Sequence, residues 1–535
     1  MPQLPKHITD SAFQECMVEL EAIVSKEWVM TGQSDLQSYR DDYGIFWGHS
    51  ELEPKPSAAV APASTDEVQA VVRILNKYQL PCWTISTGKN LGYGGAAPLK
   101  NGMITIDLKR MNRIIEVNEK HAYAIVEPGV SYFDLFNYIR DKGYKLWMSC
   151  PSPGWGSIIG NTSEHGVGYT PYGDHYGNQC GLEVVLPDGD LLRTGMGAMP
   201  DTKTWGTFKY GFGPHIDGMF TQSNLGIVTR MGIWLMPEPP TFMTGWAMMD
   251  GIDDFATMIE ATRDLRQQDI ITNMATVFPG MMDATYRPES GEPLRELIAG
   301  RGSPMDLIKI LKEHNLGFWT NRMAFYGLSN AVKEKYEYMM DHYLAHNPKT
   351  RFKFDTYSAP YDFRKMDAGA KLQAGVPNLG EWTVMGWTED SDAHAFFSPI
   401  IPFTGEAAQE HVDVFNEIFT RHGRGPYIGS IALFNTTRTC MITIPLPVRK
   451  GDHEFNRVSQ DLFLDLVQAS TERGWGDYRA PTFAMDTIMD TYSFNNHALR
   501  RFHERIKDTL DPNGIFSPGK NGIWPERYRD TRVII

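Results

Sequence analysis

The stretch Ser86-Thr87-Gly88-Lys89-Asn90-Leu91-Gly92-Tyr93-Gly94-Gly95 decides how this chain is interpreted. Four of its ten residues are glycines, and Tyr93 stands among them. Glycine lacks a Cβ and reaches positive φ, so consecutive backbone N–H groups can turn toward an anion such as a pyrophosphate. Taken alone, the stretch is equally compatible with a plain surface turn, and its neighbours must decide between the two interpretations.

The flanking segments predict regular structure on both sides of this glycine-rich stretch. Residues 64–78 predict a helix with a Ser64/Glu67 capping box and one apolar face, and residues 80–85 predict a strand. Residues 103–108 alternate as a second strand. The glycines of a nicotinamide-binding Rossmann fingerprint lie between a strand and a helix, so this order of elements excludes that fold.

Length and composition set the broad class of protein. A chain of 535 residues exceeds one compact core, which favours two domains, and 42% hydrophobic residues suffice to bury them. The formal net charge of -14 argues against nucleic acid or an anionic membrane as a partner. A small neutral or aromatic substrate is the better expectation.

The chain has no targeting or membrane-spanning signal, and its cysteines follow no recognisable pattern. No apolar run of 18 residues occurs, and no apolar run follows a basic start, so we expect a cytoplasmic protein. The five cysteines include no Cys-x-x-Cys pair, so we expect buried free thiols and no metal site.

Two further glycine-containing stretches follow the first. Residues 151–174 carry six glycines, which implies backbone that runs close against something. Two apolar strands come next, at residues 182–186 and 191–194, joined by the turn signal Pro187-Asp188-Gly189. Residues 222–229 then precede a strand that ends near Leu235.

Together these stretches resemble the vanillyl-alcohol oxidase / p-cresol methylhydroxylase family of FAD enzymes. The matching segments are Ser86 to Gly95, Gly160-Asn161-Thr162, Gly166-Val167-Gly168-Tyr169-Thr170-Pro171-Tyr172-Gly173-Asp174-His175 and Leu225-Gly226-Ile227-Val228. The resemblance covers nearly the whole chain. It implies an α+β protein with a two-lobed FAD-binding domain and an α+β cap made of an antiparallel sheet covered by helices.

The domain boundaries predicted on this basis are 1–237 for the first part of the FAD-binding domain, 238–474 for the cap, and 475–535 for the return to the FAD-binding domain. Within the cap, helical spacing of apolar residues predicts helices at 253–268, 329–347, 407–422 and 455–473. Strands are predicted at residues 318–325 and 440–447.

The resemblance assigns FAD as the cofactor. The residues expected to bind it are Ser86, Thr87, Gly88, Lys89, Asn90, Gly92, Gly94, Gly95, Gly160, Asn161, Gly168, Tyr172, Gly173, Gly226, Ile227 and Val228. Lys520, which follows Pro518-Gly519, either faces the pyrimidine end of the flavin or is solvated.

His394 lies in the motif His394-Ala395-Phe396-Phe397-Ser398-Pro399. In histidyl-flavin members of the family this position carries the covalent bond to the flavin C8α methyl group, whereas cytochrome-dependent members use a tyrosine. A neutral imidazole is available as a nucleophile near pH 7, because the reference pKa is about 6.5. Asp390 and Asp392 could polarise the imidazole or could form a solvated pair.

The resemblance places Tyr93, Tyr478 and Arg479 around the phenolic oxygen of a para-substituted phenol, with Tyr169 and Phe396 lining the substrate cavity. Ionising a phenol of pKa ~10 at pH 7 requires a shift of about three units, or roughly 4 kcal/mol. Hydrogen bonds to a charged group contribute ~1.5–3 kcal/mol each, so two tyrosines and one guanidinium suffice.

The implied reaction is an oxidation of 4-alkylphenols and 4-hydroxybenzyl alcohols. A hydride passes from the benzylic carbon to flavin N5, a p-quinone methide forms, and O2 reoxidises the flavin to give hydrogen peroxide. The expected assembly is a homodimer or higher homo-oligomer. Two alternatives stay open: a dehydrogenase subunit that passes electrons to a cytochrome, and a flavin-binding protein without turnover.

At Ser152 the chain departs from the family pattern. Oxidases of the family carry an aspartate before Gly-x-Gly-Ser, near flavin N5, where this chain has Pro151-Ser152-Pro153-Gly154. Serine is a poor base at neutral pH, so we expect slower addition of water to the quinone methide and more alkene product. The alternative is that Glu381 or Asp392 supplies the missing carboxylate.

Overall fold

The computed structural model describes residues 4–280, 304–380, 391–424, 431–433 and 437–532. Its first sheet has the order β1-β2-β4-β3, with β2, β4 and β3 mutually parallel. The strands are β1 (Val29–Met30), β2 (Ala58–Val60), β3 (Cys82–Ile85) and β4 (Ile104–Asp107). The glycine-rich stretch connects β3 to its parallel neighbour β4, so it lies at the carboxyl end of β3.

Three helices come before β3 in the chain, and the first and third of them bury the first sheet. They are α1 (Asp10–Val24), α2 (Gln33–Leu36) and α3 (Thr65–Tyr78). Val68, Val71 and Val72 of α3 are fully buried, as the helical spacing predicts. The predicted capping box is only half formed. Ser64 accepts a hydrogen bond from the Glu67 N–H, as predicted. The Glu67 carboxylate, however, accepts its hydrogen bond from the Ala63 N–H, one residue before the N-cap, and not from the Ser64 N–H.

A second sheet of five antiparallel strands follows, in the order β5-β6-β10-β8-β9. Its strands are β5 (Ile114–Asn118), β6 (Tyr123–Val126), β8 (Gln179–Val185), β9 (Leu191–Arg193) and β10 (Ile227–Trp234), while β7 (Leu146–Trp147) pairs with β11 (Met236–Pro237). Helices α4 (Tyr132–Asp141) and α5 (Ile158–Ser163) lie between these strands in the chain. The predicted turn at Pro187-Asp188-Gly189 connects β8 to β9, with the Leu186 N–H donating to the Asp190 carbonyl.

Beyond Pro237 the chain enters a seven-stranded antiparallel sheet, with the order β15-β12-β14-β13-β18-β19-β17. These strands are β12 (Thr241–Met249), β13 (Ala275–Pro279), β14 (Trp319–Gly327), β15 (Arg351–Ser358), β17 (Ile400–Pro402), β18 (Ile431–Leu433) and β19 (Thr439–Ile442). Two strands that pair with each other stand apart from it, β16 (Ala393–Phe397) and β20 (Ile444–Val448).

The predicted strand at 440–447 is therefore two strands. The chain leaves the large sheet at Thr443 because β20 pairs with β16, the strand that carries His394. The helices described in this region are α6 (Phe255–Gln267), α7 (Pro304–Glu313), α8 (Ser329–His346), α9 (Ala368–Gln373), α10 (Gly405–Arg421) and α11 (His453–Glu472). Four of them match the predicted cap helices to within a few residues. Their apolar faces share one core with the sheet, in which Phe255 stacks on Trp319 with ring centroids 4.1 Å apart.

The end of the chain comes back to the first sheet. After α12 (Met485–Thr491) and α13 (Phe494–Leu510), Phe516 forms a parallel bridge with Cys82 at the edge of β3. Lys507 fixes this segment. Its fully buried Nζ donates to the Phe516 carbonyl at 2.7 Å, donates to the Asn224 carbonyl at 2.7 Å, and pairs with Asp511 at 2.7 Å. The three groups replace the water that a buried ammonium loses.

The two-lobed α+β architecture with an α+β cap is confirmed, and the domain boundaries themselves stay a prediction. All five cysteines are buried and none of them forms a disulfide, as expected. Over the described residues, no helix combines the length and the apolar character needed to span a bilayer.

Candidate active site

A cavity runs along the carboxyl end of β3 and brings the three glycine-containing stretches together. Among the predicted site residues, its lining includes Ser86, Thr87, Gly88, Lys89, Asn90, Tyr93, Gly94, Gly95, Ser152, Gly160, Asn161, Gly226, Ile227, Val228, His394, Phe396, Arg479 and Lys520. The lining does not include Gly92, Gly168, Tyr169, Tyr172, Gly173 or Tyr478. Residues more than 400 positions apart in the chain thus share one cavity.

Within the stretch from Ser86 to Gly95, two backbone N–H groups bond to a carbonyl of the same stretch. The backbone N–H groups of Tyr93 and Gly95 both donate to the Asn90 carbonyl at 3.1 Å, so these two amides already have an acceptor within the stretch. Gly92 has φ +80, and a Cβ there would lie 2.6 Å from the Phe396 ring and 3.1 Å from the His394 ring. Glycine at position 92 is therefore required by the close approach of β16.

His394 faces the cavity from β16 and is 7% exposed. The Phe396 N–H donates to the Gly92 carbonyl at 3.1 Å, which ties β16 to the glycine-rich stretch. Burial lowers the pKa of His394 to about 4, so the imidazole is neutral at pH 7 and keeps a nitrogen lone pair. The ring of Tyr43 covers one edge of the imidazole, with centroids 4.9 Å apart.

Of the two aspartates predicted to polarise this imidazole, only Asp392 lies among the described residues, and it bonds elsewhere. Asp392 is exposed, and its carboxylate accepts a hydrogen bond from the Lys450 N–H at 2.9 Å. Asp390 lies outside the described residues. The solvated alternative is therefore the one observed for Asp392.

Tyr93 and Arg479 form the end of the cavity beside Phe396. The Arg479 guanidinium lies 4.1 Å from the centre of the Tyr93 ring and donates to the Asn90 side-chain oxygen. The Tyr93 ring stacks on Phe396 at 5.1 Å. Among the described residues, Arg479 Nε has no hydrogen-bond partner although it is buried. A buried donor without a partner is costly, which points to a ligand oxygen as its acceptor.

Ser398 is a site residue that the sequence interpretation missed. Its Oγ shares a hydrogen bond of 2.8 Å with Tyr93 Oη and is completely buried. Its place within the His394 motif, two residues after Phe396, is the signal that could have identified it. The hydroxyl pair fixes the direction in which Tyr93 presents its oxygen.

Tyr478 precedes Arg479 outside the cavity lining, but it lies close enough to shift the pKa of Tyr93. Burial raises the pKa of both tyrosines above the ordinary value, so both phenols stay protonated and able to donate at neutral pH. The Tyr478 N–H contacts the Ser398 carbonyl at 3.4 Å, which connects the Tyr478-Arg479 dipeptide to the His394 motif.

Asp477 was also missed and lies directly before this dipeptide. Its Oδ1 accepts from the Arg479 N–H at 3.1 Å, while its buried Oδ2 has no hydrogen-bond partner in the described part of the chain. Burial raises the pKa of Asp477 to about 7, although backbone N–H groups oppose the shift. The carboxyl is thus mostly neutral below pH 7, which limits its repulsion of an anion bound by Arg479.

Lys520 lines the cavity and pairs with Glu164 at 2.6 Å. Burial by itself favours the neutral acid, but the charges of Lys520 and Arg479 hold the pKa of Glu164 below its ordinary value. Lys520 therefore has an ion-pair partner beside the cavity, and its predicted place at the pyrimidine end of the flavin stays a prediction. Glu164, within the second glycine-rich stretch, was missed because nothing in its sequence surroundings marks an ion-pair partner.

Ser152 lines the same cavity, and its buried Oγ makes no hydrogen bond within the described residues. Glu164 is the only carboxylate in the lining of the cavity as described. Asp392 points to the Lys450 backbone instead. Glu381 lies outside the described residues. The role predicted for Ser152 therefore stays a prediction.

The loop from Gly168 to Gly173 closes on itself, with the Gly168 N–H donating to the Gly173 carbonyl at 2.9 Å. A Cβ at Gly168 would lie 2.6 Å from His175 Nε2, so protein packing accounts for this glycine. His175 Nδ1 in turn contacts Asn161 Oδ1 at 2.6 Å, and burial lowers the pKa of His175 to about 3. The loop thus packs against His175, and His175 in turn positions the cavity residue Asn161. Tyr169 and Tyr172 pack against core clusters beside it.

The residues present fit an FAD molecule. Ser152 Oγ and Asn224 Oδ1 both belong to residues that line the cavity, and these buried polar atoms have no hydrogen-bond partner in the described protein. Gly156 also lines the cavity, and a Cβ there would meet no protein atom within 4 Å, which leaves that wall open for a ligand. The imidazole of His394 and the cation of Lys520 supply the two kinds of polar group that an isoalloxazine ring can use.

Comparisons with a family model, with curated proteins and with solved structures agree with one another. Residues 56–195 match the FAD binding domain family model. The 4-cresol dehydrogenase [hydroxylating] flavoprotein subunit of Pseudomonas putida is 32% identical over 530 residues, covering 97% of each chain. The 4-ethylphenol oxidase of Gulosibacter chungangensis, solved with isoeugenol, superposes with a TM-score of 0.90 at 36% identity, covering 98% of this chain and 100% of that one.

A structure of p-cresol methylhydroxylase with bound substrate superposes with a TM-score of 0.87 at 31% identity, covering 97% of this chain and 99% of that chain. The likeness therefore extends over both the FAD-binding lobes and the cap, and it includes the glycine-rich stretches that line the cavity. This chain belongs to the vanillyl-alcohol oxidase / p-cresol methylhydroxylase family of FAD-dependent oxidoreductases.

Proposed function

We propose that this protein oxidises para-substituted phenols, namely 4-alkylphenols and 4-hydroxybenzyl alcohols, at the benzylic carbon. The observation that carries the proposal is the buried Arg479 Nε, which has no hydrogen-bond partner among the described residues although its guanidinium packs on Tyr93. A phenolate oxygen is an acceptor that satisfies this donor and matches its charge. The named substrates of the similar proteins support the same class of molecule.

The site residues act first by ionising the phenol. Arg479 supplies the positive charge, and Tyr93, protonated because of its burial, supplies a hydroxyl held in place by Ser398. A charge-assisted hydrogen bond contributes about 1.5–3 kcal/mol, so Arg479 and two tyrosines can together supply the roughly 4 kcal/mol that ionisation at pH 7 requires. Asp477 assists by remaining largely neutral below pH 7.

The phenolate pushes electron density into the ring, which labilises a hydride on the para benzylic carbon and leads to a p-quinone methide. Bound FAD supplies the hydride acceptor for this step. Ser86 to Asn90, Gly160, Asn161 and Gly226 to Val228 would hold the cofactor, because they line the cavity. Lys520 would hold a positive charge beside it, and Glu164 keeps that ammonium in position.

His394 is proposed as the covalent anchor of the flavin. Its support is the neutral imidazole that faces the cavity, since an attacking nitrogen must carry a free lone pair. Gly92 allows β16 to bring this ring against the glycine-rich stretch. Covalent attachment would hold the cofactor to β16, which lies in the part of the chain predicted as the cap.

For the electron acceptor we propose O2, with hydrogen peroxide as product. A histidine rather than a tyrosine at position 394 supports this choice, as does the similarity to an oxidase. A cytochrome partner is the second candidate, favoured by the similarity to a dehydrogenase flavoprotein subunit. Self-association into a homodimer or larger homo-oligomer is also proposed, and the exposed rings of Phe208, Tyr210, Phe212 and Phe494 support it.

An oxygen electrode tests the proposed function. We expect 4-ethylphenol to drive oxygen uptake and peroxide release without an added acceptor, and 4-ethylanisole to drive none, because its methyl ether cannot ionise. Turnover only with an artificial electron acceptor would favour the cytochrome-linked alternative. Equal turnover of the phenol and its methyl ether would contradict the phenolate mechanism itself.

A further inference from the structure

Far from the motifs discussed so far, three metal-ligating side chains converge between α6 and α8 of the cap. They are Asp264, His342 and His346, and one ligand atom of each lies within 4.8 Å of the others. We propose that these three residues bind a divalent transition-metal ion of the Zn²⁺ class.

The two histidines are arranged as a metal-binding pair. They are four residues apart on α8, which places both rings on one face of the helix, and their centroids are 4.6 Å apart. His346 Nδ1 lies 3.0 Å from the His342 carbonyl oxygen. Because a carbonyl oxygen only accepts, Nδ1 carries the proton and Nε2 keeps the lone pair that a metal needs.

Asp264 completes the trio from the neighbouring helix α6. Its Oδ2 lies 3.8 Å from His342 Nε2, and that nitrogen makes no hydrogen bond in the described part of the chain. Two donors of a tetrahedral zinc ion, each about 2.0–2.2 Å from the metal, lie about 3.4 Å from each other. The observed 3.8 Å between Asp264 Oδ2 and His342 Nε2 is too long for a hydrogen bond. A small movement of either side chain would bring the two atoms to the separation that a zinc ion requires.

The other oxygen of Asp264 is already fixed. Arg263 donates to Oδ1 from two nitrogens, at 2.8 and 3.1 Å, and Glu260 neutralises the guanidinium at 2.5 Å. This leaves Oδ2 for the metal and orients it, as outer-shell partners do in metal sites. The guanidinium is therefore an orienting group whose charge is offset by Glu260.

Ligand type and exposure suggest which ion would bind. Two imidazoles and one carboxylate suit Zn²⁺ and similar ions, and do not suit Mg²⁺ or Ca²⁺, which prefer oxygen ligands. His346 is exposed, while Asp264 and His342 are half-buried, so an ion can enter from solvent and keep a water as its fourth ligand. A bound ion would cross-link α6 and α8, which both pack in the cap core.

Calorimetric titration of the tag-free holoenzyme with ZnCl2, after treatment with a chelator, tests the proposal. We expect one site per chain. Removing a direct ligand in His342→Ala or His346→Ala should weaken binding by more than the ~10–100-fold typical of outer-shell partners. His422→Ala is the matched control, because His422 pairs with Asp465 at 2.8 Å on another helix and belongs to no three-ligand group among the described residues.

Thermal unfolding followed by flavin fluorescence gives a second readout. Zn²⁺ should raise the Tm of the unmodified protein and of His422→Ala, and should leave the Tm of His346→Ala unchanged. His346 is exposed, so its substitution leaves folding intact. The proposal is overturned if no zinc binds, if His346→Ala binds as tightly as the unmodified protein, or if His422→Ala loses the site.

Discussion

Replacing Arg479 with alanine should raise the pH at which the bound phenol ionises. The guanidinium is the charge that packs on Tyr93 at 4.1 Å, and its buried Nε is free to donate to the substrate. Losing a charge-assisted hydrogen bond of about 1.5–3 kcal/mol corresponds to a rise of about 1–2 units in the pKa of the bound phenol. At pH 7 the rate of flavin reduction should fall by about 10- to 100-fold, and most of the loss should be recovered near pH 10.

The assay is anaerobic stopped-flow reduction of the flavin by 4-ethylphenol, from about pH 6 to about pH 10. The reduction rate of Arg479→Lys should lie between those of the unmodified protein and Arg479→Ala, because lysine keeps the charge but lacks the planar guanidinium. Arg473→Ala is the matched control, since that arginine pairs with Glu410 near the end of α11 and does not line the cavity. A rate loss in Arg479→Ala that is the same at every pH would refute the reasoning.

Three further predictions concern Asp477, Ser152 and His394. Asp477 has a folded-state pKa of about 7 against an ordinary value of 3.8, so the native protein binds its proton more tightly and stability is lost as pH rises across that window. Asp477→Asn removes this loss, and its advantage in thermal unfolding should grow between those pH values to at most about 4 kcal/mol, whereas a constant difference would contradict the assignment. Ser152→Asp should shift the products of 4-ethylphenol from 4-vinylphenol toward the alcohol, measured by chromatography after turnover in oxygen-18 water, and fully labelled alcohol from both proteins would contradict it. His394→Ala should still bind FAD but release it on denaturation, whereas in the unmodified protein yellow fluorescence should migrate with the 60.5 kDa band on a denaturing gel; quantitative release from the unmodified protein would exclude the covalent bond.

Much of the fold could be predicted because it depends on local patterns. Helix α3, strands β3 and β4, and the hairpin at Pro187-Asp188-Gly189 follow from apolar spacing and turn residues in short windows. The split between β19 and β20 could not be predicted in this way. It depends on β16 as a pairing partner more than 40 residues away, and no local pattern in 440–447 records that choice.

The candidate site shows the same difference between local motifs and long-range contacts. Glycine-rich stretches and the His394 motif are contiguous, so they were found from the sequence. The contacts that define the chemistry connect distant positions: Tyr93 with Ser398, and Arg479 with Asn90. Packing against Phe396 of β16 is enough to require glycine at position 92, and a contact of Gly92 with FAD stays a prediction. A Cβ-free position looks the same in sequence whether a ligand or a neighbouring strand approaches it.

The most direct test of the central claim is anaerobic mixing of the purified flavoprotein with 4-ethylphenol and, separately, with 4-ethylanisole. The phenol and its ether have nearly the same shape, but only the phenol can present an ionised oxygen to Arg479 and Tyr93. We expect the phenol to bleach the yellow flavin absorbance within the time of one turnover and the ether to leave it unchanged. Flavin that stays oxidised with the phenol, or that is bleached equally by the ether, would contradict the phenolate mechanism.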